Sequence, residues 1–396
     1  VTGGNNRRHT TNLVLISAPQ GCGAAKTQFP FQFLFPFLFP IDLSLSSALR
    51  IELMNYLFIM YPWERVDPDS DSTLRLIHEV ARRGYKVAIT TPSNLTIRDC
   101  LPMAFVKMLG KQEKISNSAR SFHKQAKFSE QMLPLAGFDV VFMRANPPLD
   151  PFVLNFLDPL KNDLFIINDV EGLREANNKL YTAALYDPKN EIIPATHVSK
   201  NKEYLKAVIK DSESKKMIMK PLNGYGGSGV IVLEKSARSN VNSLLDFYIT
   251  GKDGESNYVI LQDYVEGAEK GDIRVLMLHG EPIGAMRRVP AEGDARSNIS
   301  TGGTAVKHVL TKAERRLCNI IGPKLVRDGL FFVGLDLIGE KLIEVNVLSP
   351  GGIVRINKLN KVKLQEKIID YCDNQVKLRQ SATMRRSELR KTVEDA

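Results

Sequence analysis

Met217-Ile218-Met219-Lys220-Pro221-Leu222-Asn223-Gly224-Tyr225-Gly226-Gly227-Ser228-Gly229-Val230-Ile231-Val232-Leu233 decides how the rest of the chain is read. An apolar strand ends in a lysine, a glycine-rich loop follows, and a second extended segment leaves it. Glycines carry no Cβ, so backbone N–H groups can crowd around phosphate oxygens. The segment after the loop, Val230-Ile231-Val232-Leu233, is β-branched and extended. A Walker-type P-loop and a dinucleotide-binding fingerprint both need a helix there, which excludes them. Two readings remain: an ordinary glycine-rich hairpin turn, or a strand–loop–strand lid over nucleotide phosphates. A cluster of glycines so close behind a lysine favours the lid.

Downstream, Phe331-Phe332-Val333-Gly334-Leu335-Asp336-Leu337-Ile338-Gly339-Glu340-Lys341-Leu342-Ile343-Glu344-Val345-Asn346-Val347 places two apolar strands around Gly339-Glu340-Lys341, which fits a three-residue hairpin loop. That register sets Ile338 against Leu342 and Asp336 against Glu344, with Asn346 two residues on along the same face. Two carboxylates and an amide oxygen then converge within apolar strands. Left unpaired there they are costly. One or two Mg²⁺ ions would accommodate all three, since hard oxygen ligands are what Mg²⁺ takes. The plainer alternative is an Asp/Glu pair on a solvated sheet face.

Outward from these motifs the pattern is α/β from Met54 onward. Residues 56–60 read as a strand, Asp71 as the N-cap of a helix through Arg83, Gly84 as its C-terminal stop, and residues 85–90 as the next strand. This βαβ order implies a parallel sheet. Residues 96–136 are polar, basic and ambiguous. Residues 138–143 and 164–168 read as further strands, and 151–160 and 172–185 as helical.

Residues 1–53 differ in kind. They hold no acidic residue before Asp42, and Phe29, Phe31, Phe33, Phe35, Phe37 and Phe39 recur at every second position. Pro30, Pro36 and Pro40 break that run, so it is no membrane-spanning helix, and it is a poor secretory signal. With Arg7 and Arg8 it is compatible with an organellar transit peptide. The stronger expectation is a disordered leader or upstream sequence outside the natural protein.

The 396-residue chain is 43% hydrophobic and 25% charged, the balance of a globular protein with a sizeable core. A net charge of +10 raises the question of a polyanionic partner. The basic residues are spread along the chain, however, and neither a nucleic-acid nor a membrane partner is expected. The nearest thing to a cluster is a basic tail over 376–396, read as a solvated end. Cys22, Cys100, Cys318 and Cys372 show no metal-ligand spacing and no disulfide framework. A reducing, cytoplasmic setting fits.

In their order, these motifs resemble the ATP-grasp fold and, more closely, the bacterial glutathione synthetases. Phe142-Met143-Arg144-Ala145-Asn146-Pro147-Pro148, Asn177-Asn178-Lys179-Leu180-Tyr181-Thr182-Ala183, Lys220-Pro221-Leu222, Gly334-Leu335-Asp336 and Glu344-Val345-Asn346-Val347, followed by Ser349-Pro350, carry the resemblance from about Met54 to about Cys372. It implies an α/β protein with an N-terminal parallel-sheet pre-ATP-grasp domain over 54–170 and a two-lobed ATP-grasp domain over 171–375. By resemblance Lys179 and Lys220 hold the ATP phosphates beneath Gly224, Gly226 and Gly227. Gln262, Asp263, Tyr264 and Val265 match the hinge whose backbone pairs with adenine, and Asp272 and Arg274 match the segment beyond it. Asp336, Glu344 and Asn346 match the Mg²⁺ ligands, with Mn²⁺ as a substitute. Arg144 matches an arginine that takes a substrate carboxylate. Arg288, Arg296 and Asn298, with Gly302 and Gly303, fall in residues 287–304, which match a mobile catalytic lid.

The chain departs from the family at one place. After Ser349-Pro350 the family sets two residues, an isoleucine and then a substrate-gripping arginine, whereas here Gly351-Gly352-Ile353-Val354 precede Arg355, so the arginine arrives one residue late. A one-residue slip changes the face a side chain points to. The Gly351-Gly352 backbone is the expected replacement donor. The resemblance implies an ATP-dependent ligase that joins γ-glutamylcysteine to glycine through an acyl phosphate, assembled as a homotetramer. The alternatives are a sister ligase with another acid or amine, favoured by the Arg355 shift, and a catalytically silent nucleotide- or polyanion-binding protein.

Overall fold

Strand β1 (Asn55–Met60) is buried over five of its six residues, as a parallel strand covered on both faces must be. Its residues alternate between two cores. Leu57 and Ile59 enter one, and Tyr56, Phe58 and Met60 the other, the period-two pattern of a strand. The computed structural model describes residues 53–111, 114–222, 224, 227–234, 240–250, 256–291 and 302–394, of which 391 and 392 in backbone only.

The first sheet comprises β1, β2 (Lys86–Thr90), β3 (Leu95–Arg98), β4 (Leu101–Leu109), β5 (Phe128–Pro134), β6 (Val140–Arg144) and β7 (Phe165–Ile167). Its centre, β2-β1-β6-β7, is parallel. The expected helix follows β1. Asp71 caps it by accepting the Leu74 N–H at 2.7 Å, it spans Ser72–Arg82, and Gly84 takes φ 79° behind it. The ambiguous stretch 96–136 adds an antiparallel half, with β4 pairing β2, β3 and β5.

The second sheet holds the glycine-rich loop. Strands β8 (Thr196–Ser199), β9 (Lys216–Pro221), β10 (Ile231–Glu234) and β11 (Val259–Asp263) lie in the antiparallel order β10-β9-β11-β8. They have their own small core, where Met217, Met219, Val259 and Leu261 meet Leu205 and Leu245 of the helices Lys202–Asp211 and Val241–Ile249. Lys220 is the last residue but one of β9, so the strand carries it to the loop.

The third sheet runs β14-β13-β12-β15-β16, from β12 (Asp272–Leu278), β13 (Glu281–Val289), β14 (Thr304–Lys307), β15 (Phe332–Ile338) and β16 (Lys341–Asn346). One face packs Val275, Val333 and Leu335 on the helix Lys312–Arg327, the other packs Leu276, Met286 and Phe332 on the helices Ile353–Asn360 and Leu364–Glu394. Both cores also contain residues of the first sheet. At ~1.5–3 kcal/mol per fully buried large apolar side chain, this shared burial holds the two sheets in one arrangement. A polar tie adds to it: Tyr56 Oη donates to Asp373 Oδ1 at 2.5 Å, and Arg83 reaches the same carboxylate at 2.9 Å.

The hairpin β15–β16 corrects the expected loop while keeping its consequence. Ile338 faces Lys341 and Leu337 faces Leu342, so the turn has two residues, Gly339 (φ 56°) and Glu340. The register then shifts at a bulge that leaves Ile343 without an opposite residue, and Asp336 comes to face Glu344. A shorter turn and one bulged residue lead to the same pair as a three-residue loop without a bulge.

Candidate active site

Arg144 ends β6 at the carboxyl edge of the parallel sheet, where open α/β sheets form their crevices. It is 2% exposed. Its Nε donates to Thr73 Oγ1 at 3.1 Å and one terminal nitrogen to the Pro350 carbonyl at 3.2 Å. The other terminal nitrogen is buried with no partner. Burial pulls the guanidinium down to about 10, with nearby Asp71 opposing the shift. A buried cation with a vacant donor suits an anionic ligand.

That arginine lines a cavity of about 290 Å³ with Arg274, Arg288, Arg355, Asp71, Ser349, Gly351 and Gly352. Arg355 therefore reaches the cavity despite its shift along the sequence, because Gly352 (φ 124°) opens a helix that carries Arg355 on its first turn. The Gly352 backbone is already engaged. The N–H groups of Gly352 and Ile353 are taken by Ser72 Oγ at 3.1 and 3.2 Å, and the Gly351 carbonyl accepts from Arg274 at 3.3 Å. Gly352 is thus no spare donor for a carboxylate.

Arg274 and Arg288 sit on β12 and β13 across from Asp336. Arg274 forks onto the Asp336 carboxylate at 2.5 and 2.9 Å. Arg288 reaches Asp336 at 2.9 Å and also forks onto Asp272, with Nε to Oδ1 at 2.6 Å. Burial alone would push the Asp336 carboxyl up, but Arg274 and Arg288 outweigh it and hold it at about 2. Asp272 shifts upward, from burial first and then from the Asp336 charge. Arg288 lies on β13, which runs to Val289. Asp272 faces the arginine cluster and lines neither of the two cavities at this site.

A second cavity, of about 350 Å³, adjoins the first and shares Arg274 and Ser349 with it. Lys179, Gly224, Glu344 and Asn346 line it. Lys179 donates to the Gly224 carbonyl and pairs with Glu344 at 3.2 Å. Lys220, 6% exposed, donates to Gln262 Oε1 at 3.0 Å. Burial pulls Lys220 down to about 8, with Glu344 opposing and Lys179 assisting. Gly227 (φ 76°) and Gly229 (φ 68°) hold left-handed conformations on the far side of the loop, which glycine adopts without strain.

Asn346 Nδ2 donates to Asp336 Oδ2 at 3.1 Å. Among the described residues no three His, Cys, Asp or Glu side chains form a metal cluster. The set Asp336, Glu344 and Asn346 still fits Mg²⁺ in donor chemistry, with two carboxylates and an amide oxygen on adjoining strand positions. Glu344 and Asn346 are half-buried and line the cavity, whereas Asp336 is buried.

At the hinge Asp263 N–H donates to the Ala195 carbonyl at 2.9 Å and Tyr264 N–H to the Lys216 carbonyl at 3.3 Å. Gly226, Arg296 and Asn298 lie outside the described residues. Reading the sequence for motifs passed over Ser72 and Thr73, whose hydroxyls hold the substrate-side loop and Arg144. Their position just beyond the first parallel strand was the available signal.

The three-sheet arrangement is similar to solved ATP-grasp proteins. D-cycloserine synthetase DcsG superposes with a TM-score of 0.52 at 15% identity, over 79% of this chain and all of that one. The RimK domain protein ATP-grasp from Sphaerobacter thermophilus gives 0.52 at 13% identity, over 80% of this chain and 98% of that one. The fold is therefore an ATP-grasp fold. Family models narrow it further: "Prokaryotic glutathione synthetase, N-terminal domain" matches residues 54–174 and "Prokaryotic glutathione synthetase, ATP-grasp domain" residues 178–361. Glutathione synthetase of Gloeobacter violaceus is 35% identical over 80% of this chain and 96% of its own length, and that of Synechocystis sp. 34% identical over 81% and 100%. The chain belongs to the prokaryotic glutathione synthetase family.

Proposed function

We propose that this chain joins the cysteine carboxylate of γ-glutamylcysteine to the amine of glycine, with ATP as co-substrate, giving glutathione, ADP and phosphate. The observation that carries the site reading is the vacant donor of buried Arg144, in a cavity that shares Arg274 and Ser349 with the cavity of Lys179, Glu344 and Asn346. An acid held on the arginine side would present a carboxylate to a phosphate held on the lysine side. The carboxylate oxygen attacks the γ-phosphorus and ADP leaves. The glycine amine then attacks the acyl carbon and phosphate leaves.

Positioning and electrostatics supply the catalysis. Lys179 and Lys220 hold phosphate oxygens, and Arg274, at the junction, offsets charge on the transferring group. Asp336, Glu344 and Asn346 would hold Mg²⁺, which when bound supplies further charge stabilisation. The free thiols Cys100, Cys318 and Cys372 suit a reducing compartment, and we place the enzyme in the cytoplasm. ADP release measured over a panel of γ-glutamyl and other carboxylates with several amino acids tests the proposal. γ-Glutamylcysteine with glycine should give one glutathione per ADP. Turnover confined to another acid or amine would overturn the assignment of substrates.

A further inference from the structure

We propose that Asp71 reads the α-ammonium of the γ-glutamyl residue and so makes the arginine cavity specific for an α-amino acid head. The inference rests on the ligase reading and deepens it. Asp71 is the one carboxylate among the residues that line this cavity, against four arginines. Its carboxylate accepts backbone N–H groups of the helix it caps, Leu74 at 2.7 Å and Thr73, while burial pushes the carboxyl up, and among the described residues Asp71 enters no ion pair. Arg144 and Asp71 are close enough to influence each other's ionisation, yet neither neutralises the other by contact. Thr73 holds the Arg144 Nε and leaves one terminal nitrogen vacant. A vacant guanidinium donor and an unpaired carboxylate on one wall match a carboxylate and an ammonium borne by one carbon.

Of the other three arginines, Arg355 is the most exposed and lies near Asp67, and the remaining two are already committed. Arg274 and Arg288 are spent on Asp336 and Asp272. That leaves Arg274, at the junction with the second cavity, beside the carboxylate that reacts. The two ends of γ-glutamylcysteine thus fall to different walls: the α-amino acid head to Asp71 and Arg144, the cysteine carboxylate to Arg274.

The test compares γ-glutamylcysteine with glutarylcysteine, which lacks only the α-ammonium, in wild type and Asp71→Asn. Asparagine caps a helix as well as aspartate does, so the fold is retained while the charge is lost. Wild type should prefer γ-glutamylcysteine by ~10–100-fold in kcat/KM, the size of a charge-assisted pair. Asp71→Asn should lose most of that preference through a raised KM for γ-glutamylcysteine, with the KM for ATP unchanged. Equal turnover of the two acids by wild type would overturn the proposal without any variant. So would full discrimination in Asp71→Asn, or a rise confined to the KM for glycine, which would place Asp71 at the amine. If wild type uses neither acid, the assignment of γ-glutamylcysteine as substrate fails, and this proposal with it.

Discussion

The two cavities that meet at Arg274 and Ser349 carry positive charge by different means. On the arginine side the guanidiniums are fixed in advance: Arg144 by Thr73 and Pro350, Arg274 and Arg288 by forked pairs on aspartates. On the lysine side Lys179 lines the cavity and buried Lys220 lies close to it, point charges on long stems held by Glu344, Gln262 and a loop carbonyl. Planar forks suit a carboxylate of defined orientation, while ammonium groups suit a phosphate whose oxygens move during transfer. The difference teaches that one site can divide rigid recognition from adaptable charge stabilisation.

The sharpest way to break the comparison is at the carboxylates. Glu344→Ala should lower kcat by ~10²-fold or more through lost stabilisation of transferred charge, with little change in melting temperature. Asp336→Ala should be as inactive but also less stable by ~3–5 kcal/mol, because Arg274 and Arg288 would remain buried without their partner. Denaturant unfolding separates the two, and equal stability losses would contradict the structural role given to Asp336. Next in size, Arg144→Ala should cost ~10–100-fold in kcat/KM for the acid, leaving ATP binding intact, while Lys220→Ala should weaken ATP. Matching effects of both variants on ATP affinity would erase the division of labour.

A smaller effect is expected at Arg355, which is half-buried and lies near Asp67. Arg355→Ala should cost ~3–10-fold for the acid, less than Arg144→Ala, because a partly solvated charge contributes less. The mildest effect is on pH. With the Lys220 ammonium pulled down to about 8 by burial, kcat/KM for ATP should fall as pH rises through that value. The folded protein gives up this proton at lower pH than the unfolded chain does. Lys220 therefore makes stability rise with pH, between about 8 and its ordinary value near 10.5. Lys220→Arg should remove the kinetic inflection, as read from initial rates across that range.

The parallel centre of the first sheet was legible because Asp71, Gly84 and the buried run 56–60 each carry a local signal. The antiparallel half was not. Its turn at Asp99 (φ 50°) and Cys100 (φ 65°) uses no glycine, and β5 is half-buried or exposed along its length, so composition masks it. The pairing of Asp336 with Glu344 was legible although the loop was not, since a bulge at Ile343 compensated for the shorter turn. The arginine partners of Asp336 were invisible for a different reason. Arg274 and Arg288 lie on the hairpin β12–β13, far along the chain from Asp336, and nothing in local sequence says which carboxylate they meet. Likewise Arg355 looked displaced along the chain, but the Gly352 backbone turns the following helix so that it still faces the cavity.

Transfer of oxygen from the acid to phosphate tests the central claim most directly. γ-Glutamylcysteine carrying oxygen-18 in its cysteine carboxylate should, with ATP and glycine, yield phosphate bearing one labelled oxygen for each glutathione formed. That result requires the carboxylate oxygen to have attacked phosphorus, as the meeting of the two cavities implies. Glutathione accompanied by unlabelled phosphate would mean that ATP is cleaved without an acyl phosphate, and the account of the site would be wrong.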